Sequence, residues 1–142
     1  MTKKQRKRKA RPGIDAYGRT PLHYAAADGN VAKARELLEL GTDPNVQDDN
    51  GWTPLHFAAQ VASAEVTEAL LSAGASVGIR DSFGNTPLFR AVFNSKGEGS
   101  VIGLLRRAGA DPLAANSNGV SALQLANTIA NYNVAQFFAD VK

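Results

Sequence analysis

A chain of 142 residues that is 44% apolar and 20% charged is long enough to bury a core and too apolar to remain unfolded. It has no cysteine, which excludes disulfides, thiolate chemistry and Cys-ligated zinc, and no apolar run nears the roughly 20 residues that span a bilayer. Its net charge of +3 is unevenly spread: seven of the 16 basic residues precede Asp15 with no acidic residue among them, leaving the remainder at −4.

That basic run comes first in the chain: Lys3, Lys4, Arg6, Lys7, Arg8, Lys9 and Arg11, closed by Pro12-Gly13. Residues 1–13 cannot build a core and are expected to form a disordered tail. Such a run attracts polyanions: nucleic-acid phosphate, an acidic protein, or a nuclear import receptor if the source is eukaryotic. No aromatics interleave with the charges, so a nucleic-acid contact here would be weak, sequence-independent and salt-dependent. A merely solubilising tail is the other reading. The start lacks the apolar stretch of a secretory signal, so a cytoplasmic location is expected, with a nuclear one open to a eukaryotic source.

From Asp15 onward the chain repeats itself every 33 residues. Gly18, Gly51 and Gly84 keep that interval, as do Asp15, Asp48 and Asp81, and Thr20, Thr53 and Thr86, each Thr followed by Pro-Leu. In the first unit Gly18 suits a turn with positive φ. Thr20 suits a helix N-cap and Pro21 the first helical position. Leu22, Ala25 and Ala26 give a short helix with a small-residue face, and a second helix ends at Leu37-Leu38 with Gly41 as its cap. The second unit repeats this with Leu70-Leu71 and Gly74. In the third, two extra residues within "FNSKGEGS" (93–100) lengthen the turn between helices, so the pair Leu104-Leu105, Gly109 and the fourth unit's Gly119 all arrive late. Neither helix of a unit can bury its apolar face alone, so the units must stack.

The pattern Asp-x-x-Gly-x-Thr-Pro-Leu-His-x-Ala-Ala, then Leu-Leu, then Gly-Ala-Asp-x-Asn, resembles the ankyrin repeat family. Residues 15–47 and 48–80 match it almost fully, and residues 81–115 and 116–142 in part. The resemblance implies an all-α repeat solenoid over residues 14–142, each unit a helix-turn-helix with a β-turn finger. Polar Lys33 and Glu36 stand where later units have Val66 and Ala69, then Val101 and Leu104. "VSALQLANTIANYNVAQFFADVK" resembles a C-terminal cap. A complete four-repeat solenoid, monomeric when free, is therefore expected.

Candidate chemistry is sparse. The two histidines, His23 and His56, fall one per repeat, and Phe89 and Gln124 replace them later. The resemblance implies that each histidine bonds its own turn and the adjacent backbone. "DPNVQDDNGW" begins like a calcium loop but has Asp48 where the sharp turn needs glycine, and Pro54 where the loop needs its glutamate. "SKGEGS" lacks the Gly-Lys-Ser/Thr ending of a phosphate loop. No catalytic arrangement emerges, so no enzyme, metal or cofactor is expected.

The resemblance points to protein binding through turn tips and the exposed side of the first helices. Carried onto this sequence, the candidate contacts are Tyr17, Arg19, Asp28, Asp49, Asn50, Trp52, Gln60, Val61, Phe83, Asn85, Phe93 and Asn94. Tyr17, Trp52, Phe83 and Phe93 read as anchors for a folded partner protein, with some rings alternatively folding over the next turn. A bacterial antitoxin or immunity protein is one specific form of that reading. An adaptor associated with nucleic acid through its tail is a different class.

Overall fold

A computed structural model describes residues 13–141. The basic run from Lys3 to Arg11, read above as a polyanion-binding tail, lies outside the described residues. Among those described, the order of elements is α1 (Pro21–Ala27), α2 (Val31–Glu39), α3 (Pro54–Gln60), α4 (Ala64–Ser72), α5 (Pro87–Asn94), α6 (Ser100–Arg107), α7 (Ala122–Thr128) and a 3₁₀ turn (Val134–Phe138). No sheet forms among them, and contacts such as the bridge between Ala115 and Ser121 stay isolated. None of these helices is long and apolar enough to cross a membrane.

Two layers of helices follow from the 33-residue period. The inner layer runs α1, α3, α5, α7, and the outer layer α2, α4, α6, each helix packing on its equivalent in the next unit. Leu22, Leu55 and Leu88 occupy one register position and are all wholly buried. Ala25, Ala58, Ala91 and Ala126 lie beside them, where small side chains let neighbouring backbones approach. In the outer layer Val66 and Val101 are buried, whereas Lys33 at the same position is exposed and pairs with Glu36 at 3.5 Å.

The inner helices start as their sequence dictates. Thr53, Thr86 and Ser121 each accept a hydrogen bond at the side-chain oxygen from the backbone N–H three residues on. Thr20 pairs with His23 in the same capping box as Thr53 with His56, the two hydroxyls lying 3.0 and 2.9 Å from the histidine Nδ1. The last unit departs from the others, since a five-residue 3₁₀ turn takes the place of a second α-helix. Val134 and Phe138 are its buried residues, and Arg106 holds it by donating to the Phe137 carbonyl and to both Asp140 oxygens. Aligned on Gly109, Arg106 stands where Leu38 and Leu71 stand earlier; its guanidinium lies 5.2 Å from the Phe138 ring centroid.

Candidate functional site

Each finger turn is built on an acidic or amide side chain. Asp48 Oδ1 accepts from the backbone N–H groups of Asn50 and Trp52, at 2.9 and 2.8 Å. Asp15, Asp81 and Asn116 do the same two and four residues on. These turns place Tyr17, Asn50 and Phe83 at exposed tips and direct Arg19, Trp52 and Asn85 toward the inner helices. Successive tips are bonded through backbone: Asp49 N–H to Tyr17 O, Ser82 N–H to Asn50 O and Ser117 N–H to Phe83 O, all at 2.9 Å.

The histidines lie beneath this row and are fully buried. His23 Nδ1 accepts from the Thr20 N–H at 2.9 Å, which leaves Nε2 to carry the proton and donate to the Trp52 carbonyl at 3.0 Å. His56 repeats this with Thr53 and Asn85 at 3.1 and 2.9 Å. Burial pushes both imidazoles below their ordinary pKa, toward the neutral form this geometry requires. With both ring nitrogens occupied, neither histidine is available as a base or a metal ligand, and no cluster suited to a metal ion occurs among the described residues.

Above the histidines, an open groove of about 330 Å³ is lined by Arg19, Asp48, Asn50, Trp52, Phe57, Phe83 and Arg90. Its floor is a row of rings and guanidinium groups in contact. Arg19 lies 5.4 Å from the Phe57 centroid, Phe57 is 4.8 Å from Trp52, and Arg90 lies 4.8 Å from Trp52 on the inner-helix side. Arg19 also reaches the Tyr17 and Tyr24 rings, and the Tyr24 hydroxyl donates to Asp15. That bond, together with N–H groups of Arg19 and Tyr17, holds the Asp15 carboxyl below its usual range.

The groove gathers Arg19, Asn50, Trp52 and Phe83 of the expected contacts but not the rest. Asn85 is a correction: it is buried, its side-chain oxygen accepts from Asn116 Nδ2 at 2.9 Å, and it cannot meet a partner. Trp52 is half-buried as the groove's floor rather than projecting as an anchor. Phe93 is exposed but belongs to a separate hollow beside α7, shared with Lys96 and Tyr132. Gln60 and Asn94 bond each other at 2.9 Å, Asp49 and Val61 are exposed, and Asp28 is exposed at the end of α1. Tyr24, Phe57 and Arg90 were missed. They occupy the variable position of Thr-Pro-Leu-His-x-Ala-Ala at intervals of 33, so the period that revealed the framework also marked them.

Known proteins agree with this architecture. A family model described as "Ankyrin repeats (3 copies)" matches residues 34–116, and one described as "Ankyrin repeat" matches residues 17–49. The chain is similar to the Oryza sativa subsp. indica "Potassium channel AKT1", 57% identical over 35 residues, which is 25% of this chain and 4% of that protein. It is similar to the Arabidopsis thaliana "ADP-ribosylation factor GTPase-activating protein AGD2", 49% identical over 37 residues, 26% of this chain and 5% of that one. The Neurospora crassa "Ankyrin repeat protein nuc-2" is 54% identical over 33 residues, 23% of this chain and 3% of that one. The chain thus spans only a few per cent of the length of these relatives, about one repeat in each. With the family models covering residues 17–116 and the stacked helix pairs beneath them, this chain belongs to the ankyrin repeat family.

Proposed function

We propose that this chain binds a folded partner protein on its concave face, along the finger tips and the groove of Trp52, Phe57 and Phe83. Ankyrin repeats generally serve as protein–protein interaction modules and are typically non-enzymatic. The observation that carries the finer reading is Phe83, a large ring 64% exposed at a finger tip, although its fixed turn gives it no framework duty. Aromatic side chains beside a groove are enriched among residues that dominate binding energy. Tyr17 is exposed at the equivalent tip in the first repeat, and Asn50, between them, offers polar selection. In this reading Trp52 supports the surface and Phe83 contacts the partner.

The test is a photo-crosslinking amino acid placed at position 83, against one at position 68 on the outer layer, in the source cell. Adducts are expected from position 83. With that partner purified, Phe83→Ala should weaken binding by about 2 kcal/mol or more, while Glu68→Ala leaves it within twofold. Unchanged affinity for Phe83→Ala, with folding intact, would reject the surface.

A further inference from the structure

One turn position meets a different neighbour at each junction of the solenoid. At the first, Arg19 donates from Nε to Asp48 Oδ2 at 3.1 Å. At the third, Asn85 and Asn116 bond through their amides. At the second the position holds Trp52, whose indole N–H does not reach Asp81 Oδ2, and that oxygen is buried without a hydrogen bond. Arg90 compensates only by proximity, with Nη2 3.7 Å from that oxygen, too far for a hydrogen bond.

Arg90 is left with capacity to bind. A guanidinium carries five N–H donors in a planar fork, and this one makes no side-chain hydrogen bond to any described residue; its Nε is buried and unbonded. Its guanidinium carbon lies 4.8 Å from the Trp52 ring centroid, and it lines the groove together with Phe83. The local charges are layered in depth. The side chains of Asp48 and Asp81 are 1% and 0% exposed, whereas those of Arg19 and Arg90 are 27% and 21% exposed. Although the domain is acidic in sum, an approaching partner meets guanidinium groups here and not carboxylates. A partner seated on the groove would cover these rings and exclude water, which strengthens a charge-assisted bond formed between them.

We propose that the centre of the groove takes an acidic side chain of the partner, its carboxylate accepting from the unused N–H groups of Arg90 and its carbon chain lying against Phe83. This rests on the concave-face reading above and names the chemistry that reading leaves open.

The probe is a set of peptides selected from a phage-displayed random dodecapeptide library on the full chain. They are sorted by whether Phe83→Ala abolishes binding and titrated by Trp52 fluorescence. Phe83-dependent peptides are expected to carry an Asp or Glu whose replacement by Asn or Gln weakens binding about tenfold. That replacement should have no effect against Arg90→Gln, so the two changes are non-additive. If Arg90→Gln does not fold by circular dichroism, the cycle is run with Arg90→Lys, which keeps a charge near Asp81 but loses the fork. Phe83-dependent peptides without an acidic residue, or an acid-to-amide loss equal in both backgrounds, would overturn this inference and leave the concave face standing. Failure to obtain any Phe83-dependent peptide would also overturn this inference, while the concave face is decided separately by crosslinking at position 83.

Discussion

The junction between the second and third repeats and the junction between the third and fourth use the same finger turn but hold it differently. At the first of these, His56 reaches across to the Asn85 carbonyl, and a Cβ on Gly51 would lie 2.8 Å from Asp81 Cα. At the second, Phe89 has no donor to offer. The contacts there include Asn85 with Asn116, the backbone bond from Ser117 to Phe83, and the Arg106 clamp on the 3₁₀ turn. Both junctions share a backbone bond between tips, Ser82 to Asn50 and Ser117 to Phe83; the earlier adds the buried His56 bond and the Gln60–Asn94 pair, and the later adds Asn85 with Asn116 and the Arg106 clamp. The groove residues gather over the two junctions that carry a histidine bond, His23 to the Trp52 carbonyl and His56 to the Asn85 carbonyl.

The largest effect should come from the turn glycines, because the comparison separates backbone strain from collision. Gly51 has φ 81° and Gly119 has φ 78°, but a Cβ on Gly119 would meet nothing within 4 Å. Gly119→Ala should therefore cost only the left-handed penalty, about 1 kcal/mol, while Gly51→Ala, pressing on the next repeat's backbone, should cost about 3 kcal/mol. Urea unfolding of both variants decides it, and equal losses would mean that the close approach carries no weight.

A smaller effect tests the histidines. Burial keeps both folded-state pKa values below the ordinary 6.5, so the unfolded chain binds more protons once pH falls below that value. Stability should be complete above about pH 6.5 and decline below it, by at most about 1.4 kcal/mol per pH unit for each histidine, until the folded values are reached. Gln124 shows which replacement keeps the helix cap, since its Oε1 accepts from the Ser121 N–H at 2.9 Å. The double variant His23→Gln/His56→Gln should melt at a temperature nearly independent of pH from 7 to 5.5. A slope as steep as that of the parent would locate the titration elsewhere.

What could be read in the sequence follows the same division. Gly51, Thr53 and His56 act within their own turn or at one fixed repeat spacing, so a 33-residue period exposes them. Trp52 and Arg90 meet across that spacing, one from a finger and one from the next inner helix, and neither residue alone implies the other. The burial of Asn85 depends on Asn116 standing where earlier repeats have Asp, a pairing visible only once the junctions are aligned in space. The 3₁₀ turn was hidden for a related reason: Arg106, in the preceding repeat, holds it through a backbone carbonyl as well as through Asp140.

The smallest expected effect is a gain. Ala62 has φ 55° in the turn between α3 and α4, a left-handed conformation that costs an L-residue about 1 kcal/mol or more. The first repeat has Gly29 at this position with φ 64°, and the third, after its insertion, has Gly97 with φ 86°. Ala62→Gly relieves the strain but frees the unfolded chain, so the net stabilisation should be about 0.5 kcal/mol. Ala62 is exposed, so no packing is lost to confuse the result. A higher urea midpoint with an unchanged m-value is the expected outcome, whereas a lower midpoint would show that unfolded-chain entropy outweighs the strain at this turn.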